Sequence, residues 1–180
     1  MTPEVVRSDP MIEDVLAAWS ASLGDDATAY RGHVYRMFNF CRALLDDVAF
    51  DAHVAVAAVY HDLGIWSDGT FDYLAPSASR AEAYLAEHGR ADEVREVADM
   101  IAWHHKLRPC RWPGGERAEA FRRADLVDVS LGVVRFGLPR AYVSEIRAAF
   151  PNAGFHRCLV RVGAAWLVRH PLRPLPMMRW

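Results

Sequence analysis

The sequence has little that would tie it to a disulfide scaffold, a membrane or a nucleic acid. Its three cysteines, Cys41, Cys110 and Cys158, are odd in number and never stand in a CxxC spacing. They give neither a disulfide framework nor a thiolate zinc site, and they fit a reducing compartment. Charges interrupt every apolar stretch well short of the ~20 residues of a membrane span. The start, MTPEVVRSDPMIEDVL, lacks a basic stretch followed by an apolar run, so no signal peptide is expected and the cytoplasm is the expected location. A net charge of −2, from 21 basic and 23 acidic residues, leaves no global positive field for a nucleic acid polymer. Internal repeats, low-complexity segments and alternating strand runs are missing too.

What remains is a globular composition, 52% hydrophobic and 24% charged over 180 residues, long enough to bury a core. Proline and glycine separate blocks of helix length, and the expectation is an all-α, compact multi-helix bundle in a single domain spanning 1–180. Helices are expected over about Pro10–Leu23, from just after Asp25 and Asp26 to about Val48, and over about Asp51–Leu63, the last terminated by Gly64. A fourth is expected to open at Ser79 with the S-x-x-E capping box of Ser79 and Glu82, and to stop at Gly89. Further helices are expected over about Ala91–Lys106, Glu116–Phe136, Arg140–Phe150 and Phe155–His170. The tail PLRPLPMMRW has too many prolines for a helix, and its two Met residues and Trp180 suggest that it is pinned to the body.

Helical neighbours at i+3 and i+4 locate the ionisable residues. His33 joins the side formed by Tyr30, Met37, Cys41 and Leu44, and His61 continues the stripe of Val54, Ala57 and Ala58. His104 and His105 extend Val94, Val97, Ala98 and Ile101. Asp125 lies four residues from both Phe121 and Val129, in a stripe with Ala118 and Leu126. A single inward histidine is most often a hydrogen-bonded core residue, and Arg122 or Arg123 could neutralise Asp125. Several inward ionisable groups on four helices also suit a divalent metal, for which imidazole and carboxylate are fitting ligands.

The succession of His33, then AAVYHDLG, IAWHH and RRADLVDVS, resembles the HD superfamily of metal-dependent phosphohydrolases. The resemblance covers about Tyr30–Leu131, with the C-terminal helices and the proline-rich tail, about 139–180, outside it. It implies His33, His61, Asp62 and Asp125 as ligands of one divalent ion (Mn, Fe, Co, Ni, Zn or Mg). The histidine that two-metal members carry at the start of the next helix is replaced here by Pro76 or Ser77, which favours one metal over two. Asp62 diverges from His61 by ~100°, and the two can converge on an ion only near a helix end.

The implied activity is hydrolysis of a phosphate ester, such as a nucleotide, with a small phosphorylated substrate as partner and a homodimer left open. His104 and Asp128 are the catalytic candidates; His105, Lys106 and Arg108 are the substrate-binding candidates. Asp68, Asp72 and Asp128 itself read more often as caps, turn residues or hydrogen-bond partners. Trp66, Phe71, Tyr73, Trp103 and Trp112 could wall an aromatic pocket, although such spacings more often mark a core. The alternatives are a di-iron oxygenase or hydratase of the same family type, and a non-catalytic metal-binding module.

Overall fold

The computed structural model describes residues 2–45 and 51–178. It is an all-α bundle, with no strand among the described residues. The elements are α1 (Pro10–Ala18), α2 (Ser20–Leu23), α3 (Ala27–Leu45), α4 (Asp51–Tyr60), α5 (Gly64–Ser67), α6 (Leu74–Glu87), α7 (Val94–Trp103), α8 (Glu116–Val129), α9 (Arg140–Ala149) and α10 (Phe155–Arg169). α1 starts where Asp9 accepts the Ile12 amide at 3.0 Å and Pro10 takes the first helical position, where its missing N–H costs nothing. The expected first helix is broken at Trp19, which separates α1 from α2. The expected extension of the second helix to Val48 and the pinning of Trp180 lie outside the described residues.

α3 is the spine. It packs against α8 and α4, while α7 closes the bundle against α4, α6 and α8. α4 is buried on all sides from Val54 to Tyr60, so it has no polar face, as suits a central helix. The Tyr30 hydroxyl donates to the Val59 carbonyl at 2.6 Å and fixes α3 against α4. The tail is indeed pinned at Met177, which is buried with Ile65, Phe71 and Tyr73.

Three expected boundaries are corrected. Gly64 does not end a helix; the chain turns through 61–63 and Gly64 opens α5. Its need for glycine is spatial, because a Cβ there would come within 2.7 Å of the Tyr73 carbonyl oxygen and 3.0 Å of Ser77 Oγ. α6 begins at Leu74, five residues before the expected capping box, and has no side-chain cap. Pro76 falls in its first turn, where proline is tolerated. The helix expected to reach Phe136 ends at Val129. There Leu131 adopts φ +57°, and the Leu131 and Gly132 amides fold back to the Asp128 and Val127 carbonyls at 2.9 and 2.8 Å, a Schellman closure with leucine in place of glycine.

Candidate metal centre

The bundle gathers four imidazoles and three carboxylates around the junction of α3, the turn after α4, the turn after α7, and α8. His33 comes from α3, His61 and Asp62 from the turn after α4, His104 and His105 from the turn after α7, and Asp125 and Asp128 from α8. All are buried except His105, whose side chain is 24% exposed and forms the open edge.

The hydrogen bonds fix which ring nitrogens face the centre. His33 Nδ1 lies 2.7 Å from Asp128 Oδ2, His61 Nδ1 lies 2.9 Å from the Ala58 carbonyl oxygen, and His104 Nδ1 lies 2.7 Å from that of Ile101. Each of these partners only accepts, so each Nδ1 carries the proton and each Nε2 presents a lone pair in the neutral ring. His33 Nε2 and His61 Nε2 then stand 2.9 Å apart with two lone pairs facing each other. Asp62 Oδ2 joins them at 3.6 and 3.4 Å, and His104 Nε2 is 3.4 Å from Asp62 Oδ1. Acceptors facing acceptors in a dry interior call for a positive charge between them, either a proton on one ring or a metal ion.

The residues fit a metal. Asp62 Oδ1, His104 Nε2 and Asp125 Oδ1 are buried with no hydrogen-bond partner. The donor atoms of His33, His61 and Asp62 lie within 4.8 Å of one another, as do those of Asp62, His104 and His105. Ligands at ~2.1 Å from a shared ion stand about 3.0–3.4 Å from each other, close to the separations observed. Asp62 belongs to both groups. Asp125, expected as a ligand, belongs to neither; its Oδ2 is 3.5 Å from His105 Nδ1.

The electrostatics follow from the burial. Burial, helped by His33 and His104, depresses the His61 imidazole to about 3 against the pull of Asp62. Asp62 is itself held well below the usual carboxylate range, because His61, His104 and His33 outweigh its burial. Burial lifts Asp125 to about 6, against the pull of His104 and His33. His104 is raised despite its burial by the neighbouring carboxylates of Asp62 and Asp125.

Asp128 stands behind His33, away from the facing lone pairs. Beyond its bond to His33, it receives Arg36 Nε on Oδ1 and Arg36 Nη2 on Oδ2 at 2.9 Å. Arg36 Nη1 donates to the Phe150 and Pro151 carbonyls, both at 3.1 Å. The ring of His33 also stacks on Phe155 of α10, with centroids 4.0 Å apart. Both Asp128 oxygens are thus committed to orienting His33 and neutralising Arg36, which places Asp128 as a hydrogen-bond partner of the centre rather than at its open edge. Arg36 was not anticipated; its signal in the sequence is its position one turn after His33.

The expected substrate-binding residues separate. His105 is wedged between the Tyr73 hydroxyl, bonded to its Nε2, and Asp125. Lys106 holds its ammonium 5.9 Å from the Trp103 ring centre, and Arg108 is exposed on the surface. The expected aromatic wall is divided as well: Trp66 and Phe71 line a cleft with Trp166, whereas Trp112 lines another beside α7. Asp68 pairs with Arg80 at 3.0 Å and Asp72 with Arg173 at 3.3 Å.

Glu119, also unanticipated, holds the His104–His105 turn to α8. It accepts from the Cys110 amide at 3.0 Å, from Arg122 through two bonds of 2.8 Å, and from Arg123 at 2.7 Å. Arg122 in turn donates to the Lys106 carbonyl at 3.3 Å. These donors outweigh burial and hold the Glu119 carboxyl at about 2, below its ordinary 4.5. Its stabilisation is therefore complete above pH 4.5 and is lost as pH falls toward 2. Glu119→Gln is expected to cost about 2 kcal/mol at neutral pH and to flatten that acid limb, as read by urea unfolding at pH 6 and pH 3.

Searches of protein-family models, curated proteins and solved structures find no match for this chain.

Proposed function

We propose that this chain is a metal-dependent phosphohydrolase of the HD type, acting on a small phosphate ester. The observation that carries the reading is the set of bare acceptors turned on one another: His33 Nε2 against His61 Nε2 at 2.9 Å, with the unpartnered Asp62 Oδ1 and His104 Nε2 beside them. The H…HD…D order of the residues supports it. His33, His61 and Asp62 would hold one divalent ion, and Asp125, whose Oδ1 has no donor, would complete the set. When bound, such an ion supplies charge neutralisation at a phosphoryl oxygen and water of lowered pKa.

The protein's own contribution is orientation and exclusion of solvent. Asp128, Ala58 and Ile101 hold the three rings in one tautomer, the outer support that metal-ligating histidines commonly need. Phe155 and Phe121 cover the imidazoles with apolar surface, His61 meeting Phe121 edge-on at 5.5 Å. His104, expected as a catalytic group, is better suited to be a donor, since its Nε2 faces Asp62 and is fully buried. His105, at the exposed edge and hydrogen-bonded to Tyr73, is the group suited to hold or pass a proton on the substrate side.

The test is phosphate release from a nucleotide panel with Mn, Co, Ni, Fe, Mg and Zn. Turnover with at least one of them is expected, and no turnover with any would contradict the reading. One observation favours a second reading, an oxygenase with two irons: Asp62 is shared with the donors of His104 and His105. Two irons per chain, with oxygen consumption, would decide for it.

A further inference from the structure

A second polar site lies off the end of α8. The loop after Leu131 and one face of α9 enclose a cleft of about 610 Å³, lined by Leu131, Val133, Arg135, Arg140, Ser144 and Arg147 together with small neighbours. That size is in the range of small-molecule sites. Its lining holds three arginines and no carboxylate. None of the three guanidinium groups makes an ion pair or hydrogen bond among the described residues. This sets them apart from Arg31, Arg36, Arg90 and Arg122, which all pair with acids.

The surrounding sequence reinforces the imbalance. From residue 131 onward there are eight arginines and a single carboxylate, Glu145, in a chain whose net charge is −2. Unpaired like charges repel one another, and several of them converging on a cleft form a ready receptor for an anion. Arginine in particular presents a planar fork that matches phosphate oxygens.

We propose that this cleft binds a soluble small molecule carrying two or more linked phosphates. The spacing selects against a single phosphate. Arg140 and Arg147 are two helical turns apart, about 10 Å at ~1.5 Å per residue, with Ser144 between them and Arg135 approaching from the loop. Linked phosphates reach both ends of that row. The walls are held in place: a Cβ on Gly132 would lie 2.7 Å from Val143 Cγ1 and 3.8 Å from Arg147 Cδ, so loop and helix pack closely beside the arginine stem. Leu131 and Val133, both exposed, offer apolar surface to an organic portion of the ligand. The cleft shares no residue with the donor groups and stands whether or not the chain is a hydrolase.

The test is calorimetric titration of the full chain with inorganic tripolyphosphate and with orthophosphate, at low ionic strength and with EDTA to keep metal out of the donor centre. Tripolyphosphate is expected to bind at least tenfold tighter than orthophosphate. Arg140→Gln, at an exposed position, should weaken it about tenfold, and Arg140→Gln with Arg147→Gln should abolish it, with unchanged melting temperature for the single variant. Arg157→Gln, an exposed arginine of α10 outside the cleft, should leave binding unchanged. No tripolyphosphate binding by the wild type, or equal binding by the double variant, would overturn the proposal. So would an equal loss with Arg157→Gln, which would reveal diffuse charge. Vesicles containing a phosphoinositide and an RNA homopolymer complete the set. Binding of either that free tripolyphosphate does not compete away would assign the arginines to a membrane or a nucleic acid instead.

Discussion

Asp128→Asn is expected to destabilise the protein by about 3–5 kcal/mol, because it strips the charge partner from a buried arginine. Arg36 is held by the Asp128 carboxylate and two backbone carbonyls and is almost fully buried. It cannot shed its proton, so the uncompensated charge persists. At ~2–4 °C per kcal/mol for a chain of this size, the melting temperature should fall by roughly 10 °C. The same substitution takes the carboxylate from His33 Nδ1, and loss of such a partner typically lowers metal affinity ~10–100-fold. The two effects can be separated. Adding Arg36→Met removes the stranded charge, so the double variant is expected to regain most of the stability while metal affinity stays low. Recovery of both would mean that Asp128 acts on the centre only through the fold.

The helical architecture was legible because most helices carry an apolar stripe and end near proline or glycine. α8 shows where that reading breaks down. Its apolar residues Leu126 and Val129, assigned to the core side, are exposed, whereas Arg122, Asp125 and Asp128 are buried beside Ala118 and Phe121. The polar residues occupy the inward face, so hydrophobic pattern and burial oppose each other at the candidate site, as happens where a fold carries charged chemistry inside. Asp125 was placed inward, and it is inward, but the buried neighbours at three- and four-residue spacing are Arg122, Phe121 and Asp128, whereas Val129, also four residues away, is exposed. His33, His61 and the His104–His105 pair could be read from their spacing to apolar residues on their own helices. Arg36 could not, since its partner Asp128 lies on another helix and local periodicity carries no record of a pairing across 92 residues; Glu119 carries a local signal in Arg122 and Arg123 at i+3 and i+4, but none for its bond to the Cys110 amide. Gly64 was misread because its reason is the approach of Tyr73 and Ser77, a tertiary contact that resembles a helix terminator in sequence.

Asp62→Asn is expected to abolish metal retention and to bring phosphate release to background. One atom changes, and the fold should feel it far less than the loss of Asp128, because the groups facing Asp62 are imidazoles that can give up a proton. For the centre the loss is larger than for any outer partner. Asp62 is the one residue common to both donor groups, with oxygens 3.4–3.6 Å from three imidazole nitrogens. Its replacement removes the negative charge that balances a divalent ion and should cost more than the ~10–100-fold typical of a supporting carboxylate. The raised pKa of His104, which depends on Asp62, should fall as well, and NMR titration of the His104 ring would report that without any metal present.

The most direct measurement is the metal content of protein purified without added metal, followed by calorimetric titration of the chelated protein with the same ion. One divalent ion per chain is expected, bound with release of a proton and with a higher melting temperature, and lost in Asp62→Asn. A wild-type protein that is metal-free as purified, takes up no Mn, Fe, Co, Ni, Zn or Mg, and melts at the same temperature with and without them would contradict the account.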